Sequence, residues 1–334
     1  MMKKKTIIIA EAGVNHNGNV NIALKLIDKA SLVGADYIKF QHTNPNLISP
    51  FAKKAKYQLN NTKNKNSQKK MIEKLHLNWS KYYGKIIKRC RQKKIKFLTS
   101  AFSVKDYLEV KNLNMDYIKI PSGEIINEPL LRKISFSKKK IILSTGMSSN
   151  NEILRAITIL NKKILKKNIT LMHCVSDYPT KNEDINLNTI LHLQDQFKTE
   201  VGFSDHSLGI DAPAIAVALG AKIIEKHFTL SKKMSGPDHR ASLDPKEFSM
   251  MVKKIRKIEK ILGKKKKIIT ENEKKTKLLV RQSLHAIDKI KKGEKFTYKN
   301  IALMRPTGGA PPSKFEDFIG KKAKKKYFKY EQIK

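Results

Sequence analysis

Short apolar runs alternate with longer stretches of mixed polarity between residues 6 and 226. Most of these runs are nearly uninterrupted, which is typical of parallel strands that are covered on both faces. Eight runs lie at residues 6–10, 36–40, 96–100, 116–120, 140–144, 169–174, 201–204 and 221–226. The stretches between them favour helices; Ile22, Leu26 and Ala30, for example, recur at helical spacing. The pattern predicts an α/β protein with a TIM (β/α)8 barrel, and a doubly wound parallel sheet is the alternative fold.

The pattern changes towards the C-terminal end of the chain. A barrel is expected over residues 1–262, followed by a charged linker at 263–280 and a small β-rich domain at 281–334. Strands of that domain are expected at 279–287 and 301–305, where apolar residues are again concentrated.

A long segment also separates the second and third predicted strands. It carries an extra polar stretch at residues 51–68 before a helix expected over 71–91. An insertion after a barrel strand lies on the same rim as the other loops that follow strands, so we expect it to form part of a site.

Composition narrows the class of protein. Lys and Arg total 70 against 29 Asp and Glu, for a net charge of +41, which makes nucleic-acid binding an alternative function. The lysines are scattered along the chain and no reader motif accompanies them, which favours a solvated surface and no specific nucleic-acid partner. Two cysteines, Cys90 and Cys174, cannot form a disulfide framework. The absence of a long apolar stretch and of a signal-peptide pattern predicts a cytoplasmic protein without a membrane span.

Polar side chains recur where the predicted strands end, which is where TIM barrels carry their chemistry. These residues are Glu11, Lys39, Gln41, Ser100, Lys119, Ser122, Glu124, Ser144, Tyr178, Ser204, His206, Glu225 and His227, and the apolar candidate Phe102 follows the third strand. His16 and His42 lie nearby, and His16 is either a ligand contact or a residue that orders its loop. The repetition of polar residues at one end of successive strands indicates a catalytic site.

Two lysines stand inside otherwise apolar runs. Lys39 and Lys119 would be costly to bury unless they face an anion or a carboxylate. We expect them to bind a phosphate or carboxylate group, together with the hydroxyls of Ser122, Ser144 and Ser204. A Lys–Glu pair that only stabilises the barrel and a Schiff-base lysine of an aldolase are the alternatives.

His206 and His227 follow adjacent strands and are candidate ligands for a divalent metal. The residue types alone leave Mn²⁺, Mg²⁺ and Zn²⁺ open. Glu11, Glu124 and Asp238 are carboxylates near the rim that could orient hydroxyl groups, act as a general base or only cap loops.

Several motifs together resemble the sialic acid synthase family. They are EAGVNHNG at 11–18, KIPSGE at 119–124, STGM at 144–147, GFSDH at 202–206, EKHFT at 225–229 and GPDH at 236–239. Residues 281–306 resemble the antifreeze-like (SAF) domain that ends these enzymes. Two departures are Ser100-Ala101-Phe102, where the family commonly has Thr-Pro-Phe, and Ser176, where Thr or Asn is usual.

The resemblance implies a reaction between phosphoenolpyruvate, an N-acylated mannosamine-type sugar and water. The products are a nine-carbon 2-keto acid and phosphate. N-acetylmannosamine would give N-acetylneuraminate, and 2,4-diacetamido-2,4,6-trideoxymannose would give N,N'-diacetyllegionaminate; the shared motifs leave both sugars open. A divalent metal, Mn²⁺ with Mg²⁺ as the alternative, would be bound at His206 and His227 and polarise the sugar aldehyde.

The resemblance also assigns roles to the other candidates. Positions that match the phosphoenolpyruvate site are Lys39, Ser100, Lys119, Ser122, Ser144, Tyr178 and Ser204. Positions that match the surroundings of the sugar are Gln41, Glu124, Asp238 and Glu11, the last as the acid/base group. Arg305 matches an arginine that reaches the sugar's acyl group in a partner chain, which implies a domain-swapped homodimer.

Overall fold

The computed structural model describes residues 5–42, 44–62 and 67–334. Its central feature is a closed barrel of parallel strands in the order β1 to β8, with β1 paired to β8. The strands are β1 (Ile7–Gly13), β2 (Tyr37–His42), β3 (Lys96–Ala101), β4 (Tyr117–Ile120), β5 (Lys140–Ser144), β6 (Ile169–His173), β7 (Glu200–Asp205) and β8 (Ile223–His227). Each predicted run overlaps one of these strands, and closure of the sheet confirms the TIM barrel over the doubly wound alternative.

Helices follow the strands, and most of them cover the outside of the barrel. They are α1 (Val20–Leu32), α2 (Lys56–Thr62), α3 (Gln68–Leu75), α4 (Trp79–Gln92), α5 (Val104–Val110), α6 (Glu128–Ile134), α7 (Asn150–Asn161), α8 (Thr189–Phe197), α9 (Asp211–Ala218) and α10 (Pro245–Leu262). Local sequence sets several starts; Asp244 and Glu247, for example, form a reciprocal capping box at the beginning of α10. Buried apolar side chains of strands and helices form one continuous core.

The insertion after β2 differs from the expectation. The helix expected over 71–91 is two helices, α3 and α4, because the chain is extended at His76 and the Asn78 side chain caps α4 by accepting a hydrogen bond from Lys81 N. The polar stretch 51–68 contains α2, and its residues 63–66 lie outside the described residues.

The strand register places predicted site residues beside one another. Glu11 on β1 is paired with Lys39 on β2 and with His227 on β8. Ser100 on β3 is paired with Lys119 on β4. Because side chains alternate between the two faces of each strand, these neighbours share the interior end of the barrel.

The chain divides into two compact units, Met1–Gly263 and Lys264–Lys334. The second unit contains α11 (Glu271–Val280), β9 (Ser283–Ala286), β10 (Ile301–Met304) and α12 (Phe315–Phe318). β9 and β10 are antiparallel, and a small core surrounds them.

The expected start of the first C-terminal strand at residue 279 is wrong. A capping box between Thr270 and Glu273 opens α11, and the helix continues to Val280. The predicted linker therefore holds a helix, every residue of which is exposed. No helix within the described ranges is long and apolar enough to span a membrane.

Candidate active site

Four buried charges alternate in sign at the carboxyl end of the strands. Lys39 Nζ lies 2.8 Å from Glu11 Oε2 and 3.8 Å from Glu225 Oε1. Lys119 Nζ donates to both carboxylate oxygens of Glu225, at 2.7 and 2.9 Å. All four residues are at most 4% exposed. Buried charges are tolerated when they are paired in this way, so the two lysines and two carboxylates form one network.

The network gives its two carboxyl groups opposite properties. Burial opposes ionisation of Glu225, but the ammonium groups of Lys119 and Lys39 prevail and lower its pKa to about 2. Burial raises the pKa of Glu11, against the opposing effect of Lys39. Glu225 is therefore a permanent anion, whereas Glu11 is the carboxyl that more readily holds a proton, a division typical of acid–base sites.

Hydroxyl and amide groups line the strand ends next to the lysines. Ser204 Oγ donates to Glu225 Oε1 at 3.0 Å, and Gly146 N donates to Ser122 Oγ at 3.1 Å. Ser144 is buried, and buried Ser100 Oγ has no hydrogen-bond partner within the described part of the chain. Hydroxyls and a backbone amide beside two ammonium groups can receive an anion such as phosphate.

Gly146 is required by this arrangement. A Cβ at this position would lie 2.5 Å from Ser176 Oγ, 2.9 Å from Ser122 Oγ and 3.1 Å from Cys174 Sγ. Three polar side chains therefore converge on the Gly146 backbone, and Cys174 forms part of the wall around it. The cradle exists because residue 146 has no side chain.

The two predicted metal ligands lie side by side. The rings of His206 and His227 are 5.7 Å apart. Desolvation lowers the pKa of His206 to about 4, and burial lowers the pKa of His227 well below its ordinary value, an effect that the neighbouring His206 reinforces. Both imidazoles are therefore neutral, as metal ligation requires.

Two ring nitrogens of this pair are suited to a metal ion, and one of them, His206 Nε2, also lies 3.4 Å from Ser204 Oγ. His206 Nδ1 lies 2.6 Å from Val175 O, which assigns the proton to that nitrogen and leaves Nε2 as a lone-pair donor. His227 Nδ1 is buried and has no hydrogen-bond partner among residues 5–42, 44–62 and 67–334. In those same ranges no group of three or more His, Cys, Asp and Glu side chains could hold a metal ion. Two imidazoles would leave other positions on a divalent ion for water or substrate oxygen.

An aromatic stack covers the imidazoles. The Tyr178 ring lies 4.1 Å from the His206 ring, and the Tyr57 ring of α2 lies 4.9 Å from Tyr178. Asn61 Nδ2, also on α2, donates to Pro237 O at 2.6 Å. The inserted helix therefore contacts loops that follow β6 and β8. Sequence reasoning missed Tyr57; its signal is a tyrosine within a polar insertion expected on the rim.

Asp238 is buried in the loop that follows β8. Burial, with a further contribution from the negative charge of Glu11, raises its pKa to about 7. The loop is anchored to the first motif, since Asn15 Nδ2 donates to Phe228 O and to Ser242 Oγ, and Ser242 Oγ donates to Asp238 O. A carboxyl with a pKa near neutrality can exchange a proton during a reaction.

Of Gln41, Glu124 and Phe102, Gln41 contacts the charge network, whereas Glu124 and Phe102 are hydrogen-bonded within their own loops. Gln41 Nε2 donates to Glu11 Oε1 at 3.1 Å, which places Gln41 beside the carboxyl that holds a proton. Half-buried Glu124 accepts a hydrogen bond from Asn127 Nδ2, and Phe102 N donates to Asp106.

Two histidines near the strand ends lie outside the charge network. The His16 ring packs edge-on against Trp79, and its Nδ1 accepts a hydrogen bond from Gly18 N, so His16 orders its loop. His42 stacks on Tyr83, with His42 Nδ1 and the Tyr83 hydroxyl oxygen 2.5 Å apart. Arg305 is an exposed residue of the second unit, and its contact with a sugar in a partner chain stays a prediction.

A closed parallel barrel with its reactive side chains at the carboxyl ends of the strands belongs to the class of TIM-barrel enzymes. Within that class, the NeuB family matches residues 26–267, and the chain belongs to this family.

Individual relatives are similar over nearly their whole length. The chain is 47% identical to N,N'-diacetyllegionaminic acid synthase of Campylobacter jejuni, over 99% of both chains. It is 38% identical to N,N'-diacetyllegionaminic acid synthase of Legionella pneumophila, over 94% of this chain and 89% of that one. Among solved structures, N-acetylneuraminic acid (sialic acid) synthetase from Leptospira borgpetersenii in complex with citrate is 35% identical, with a TM-score of 0.72 over 82% of this chain and 90% of that chain.

Proposed function

We propose that this chain is a nonulosonic acid synthase that joins phosphoenolpyruvate, 2,4-diacetamido-2,4,6-trideoxymannose and water to give N,N'-diacetyllegionaminate and phosphate. The observation that carries the proposal is the meeting of a buried Lys–Glu network and two neutral imidazoles at one end of the barrel. Similarity to diacetyllegionaminic acid synthases over the full chain supports this sugar. N-acetylmannosamine is the second candidate, supported by the similarity to a sialic acid synthetase structure.

Phosphoenolpyruvate binds on the lysine side of the site in this proposal. Its phosphate and carboxylate are anions, and Lys39 and Lys119 hold positive charge at the strand ends. The hydroxyls of Ser100, Ser122, Ser144 and Ser204 supply directional hydrogen bonds. The unpartnered Ser100 hydroxyl and the cradle at Gly146 support this placement.

The sugar aldehyde faces the imidazole side. His206 and His227 would hold the divalent metal, for which we propose Mn²⁺ with Mg²⁺ as the alternative. When bound there, the metal supplies a Lewis acid for the aldehyde carbonyl. The Tyr178 ring packs against His206 and limits the volume available to the sugar and to water.

Proton transfers fall to the carboxyl groups. As C3 of phosphoenolpyruvate attacks the aldehyde carbon, the aldehyde oxygen gains a proton, for which Glu11 is the proposed donor. Gln41 holds Glu11 Oε1 in place. Water then adds to C2 and loses a proton to a carboxylate, the proposed role of Asp238, before the C–O bond to phosphate breaks. Glu124 is proposed to orient the sugar from the edge of the site.

The test is phosphate release by purified protein with phosphoenolpyruvate, Mn²⁺ and each of the two sugars in separate reactions, followed by mass measurement of the keto acid. We expect the diacetamido sugar to be the better substrate and His206→Ala to remove the activity while the protein stays folded. Phosphate release with neither sugar in Mn²⁺, Mg²⁺ or Zn²⁺ would reject the function. A borohydride-trapped adduct on Lys39 or Lys119 without metal dependence would favour a Schiff-base aldolase instead.

We also propose that two chains form a homodimer in which Arg305 of one chain completes the sugar site of the other. Mixed dimers test this proposal. His206→Ala and Arg305→Ala chains, each inactive alone, should regain roughly a quarter of wild-type activity when co-expressed, because half of the dimers contain one intact site. No recovery despite verified mixed dimers would count against the exchange.

A further inference from the structure

We propose that the buried Asp205–Lys226 ion pair is a positioning clasp that sets the spacing of His206 and His227 and thereby the affinity of the site for a divalent metal. The inference rests on the proposed function, since it presumes that the two imidazoles bind metal. It assigns a task to two charged residues that face away from the reacting groups.

The ion pair joins β7 to β8 one residue before each imidazole. Asp205 is the last residue of β7 and is paired with Lys226 of β8. His206 follows Asp205 in the chain, and His227 follows Lys226. Each charged residue is therefore covalently adjacent to one imidazole-bearing residue, and the pair links the ends of the two strands that carry the rings.

Lys226 donates hydrogen bonds to both residues that flank His206. Its Nζ donates to Asp205 Oδ2 and to Ser207 O, each at 2.5 Å. Asp205 Oδ1 in turn accepts hydrogen bonds from Ser207 N at 2.8 Å and Ser207 Oγ at 2.7 Å. The backbone on both sides of His206 is thus anchored to β8, which carries the other imidazole.

The burial of Asp205 and Lys226 argues against a role in stability alone. The Lys226 and Asp205 side chains are 1% and 0% exposed. Strand alternation places them on the face opposite Glu225 and His227, towards the layer between barrel and helices that contains the apolar core. Taking two charges out of water offsets much of their attraction, and apolar replacements of similar volume are often equally stable or more so. Such a pair instead fixes the geometry of the strands that it joins. Substitution of residues that hold metal ligands in place commonly weakens metal binding by about 10–100-fold.

The experiment separates geometry from stability. Mn²⁺ binding to the full-length protein is measured by calorimetry and by electron paramagnetic resonance, alongside the thermal unfolding midpoint. We expect Asp205→Leu/Lys226→Met to remain folded with an unfolding midpoint close to that of wild type, yet to bind Mn²⁺ about 10–100-fold more weakly. Lys96→Met, which breaks an exposed ion pair at the start of β3, is the matched control and should bind Mn²⁺ as wild type does.

A second variant keeps the test decisive if the apolar double variant fails to fold. Asp205→Asn preserves the shape of the side chain and an acceptor for Ser207 while removing the charge, and it should also weaken Mn²⁺ binding. Wild-type affinity in a folded variant of the pair would overturn the clasp and leave the proposed function intact. Failure of the wild-type protein itself to bind any divalent metal would overturn both the proposed metal and the clasp.

Discussion

Lysine–carboxylate pairs of equal length lie at the two ends of the barrel. Lys119 and Glu225 are 2.7 Å apart at the carboxyl ends of the strands, where their side chains are 3% and 5% exposed. Lys96 and Asp116 are also 2.7 Å apart at the amino ends, but their side chains are 64% and 50% exposed. Distance is therefore the same in the two pairs, and burial is what differs.

Burial decides what each pair does. Water screens the exposed pair and would replace either partner, so such pairs contribute little to folding. Neither partner of the buried pair can be replaced by water, and Glu225 stays ionised because Lys119 and Lys39 face it. The comparison indicates that burial, and not the distance between the charges, sets how strongly each partner depends on the other.

The largest effect is expected for Glu11→Gln in the buried network. The substitution removes the carboxyl that more readily holds a proton and takes away one of the two negative charges that face Lys39. We expect the rate of phosphate release to fall by about 100- to 10,000-fold, since proton transfer by a positioned acid contributes on that order. Steady-state kinetics at saturating phosphoenolpyruvate measure this loss. A variant with more than half of wild-type turnover would remove Glu11 from the mechanism.

Lys119→Met tests the buried pair against the exposed one. Removing one partner of a buried pair leaves an uncompensated charge, so we expect a loss of about 3–5 kcal/mol in the free energy of unfolding and at least about 100-fold in kcat/KM for phosphoenolpyruvate. Lys96→Met should lower the free energy of unfolding by at most about 1 kcal/mol and leave kinetics unchanged. Denaturant unfolding of both variants measures the two free energies of unfolding. Equal losses in the two variants would show that burial does not determine how much an ion pair contributes to stability.

Asp238→Asn tests the effect of burial on a carboxyl group by its dependence on pH. The folded-state pKa of about 7 lies above the ordinary value of 3.8, so the folded protein favours protonated Asp238. The stability that the folded protein gains from holding this proton is complete below pH 3.8 and is lost as pH rises through about 7. The loss in the free energy of unfolding is at most about 4 kcal/mol.

We therefore expect the free energy of unfolding of wild type to fall between pH 4 and 8 by more than that of Asp238→Asn. Activity should show the reverse, rising through pH 7 in wild type as the carboxylate forms and staying low and flat in the variant. Paired denaturation and kinetic profiles check both. Parallel stability profiles in the two proteins would place the pKa of Asp238 back in its ordinary range.

Tyr57→Ala should have the smallest effect. It removes the outer ring of the Tyr57–Tyr178 stack, and an aromatic pair contributes about 0.5–1.5 kcal/mol. We expect the KM for the sugar to rise about 2- to 10-fold with little change in kcat, while Tyr57→Phe, which keeps the ring, behaves as wild type. An unchanged KM in the alanine variant would mean that α2 does not affect the sugar.

The barrel could be predicted from sequence because the strands are short apolar runs that each carry their own signal. The predicted start of β8 at residue 221 was two residues early, and the strand expected to start at 279 begins at Ser283, because α11 starts at its Thr270 cap and continues to Val280. The pattern of apolar residues does not encode where a capped helix stops once its last turn is exposed.

The candidate site was predictable in its members and not in its pairings. Lys119 and Glu225 are 106 residues apart, and only barrel closure and register bring them into contact. Their neighbours in sequence contain no sign of that partnership. Tyr57 escaped prediction because its helix lies in a polar insertion without apolar periodicity, so nothing placed its ring over Tyr178.

The convergence of three side chains on Gly146 makes the side chains that fit at these positions depend on one another. An alanine at 146 would place its methyl carbon against Ser176 Oγ first, at 2.5 Å, and against Ser122 Oγ next, at 2.9 Å. A side chain at 146 therefore requires the Ser176 and Ser122 hydroxyls to move away from the positions they occupy beside the Gly146 backbone. Because Ser176, Ser122 and Gly146 lie in three different loops, a single added methyl group at 146 would disturb all three loops at once.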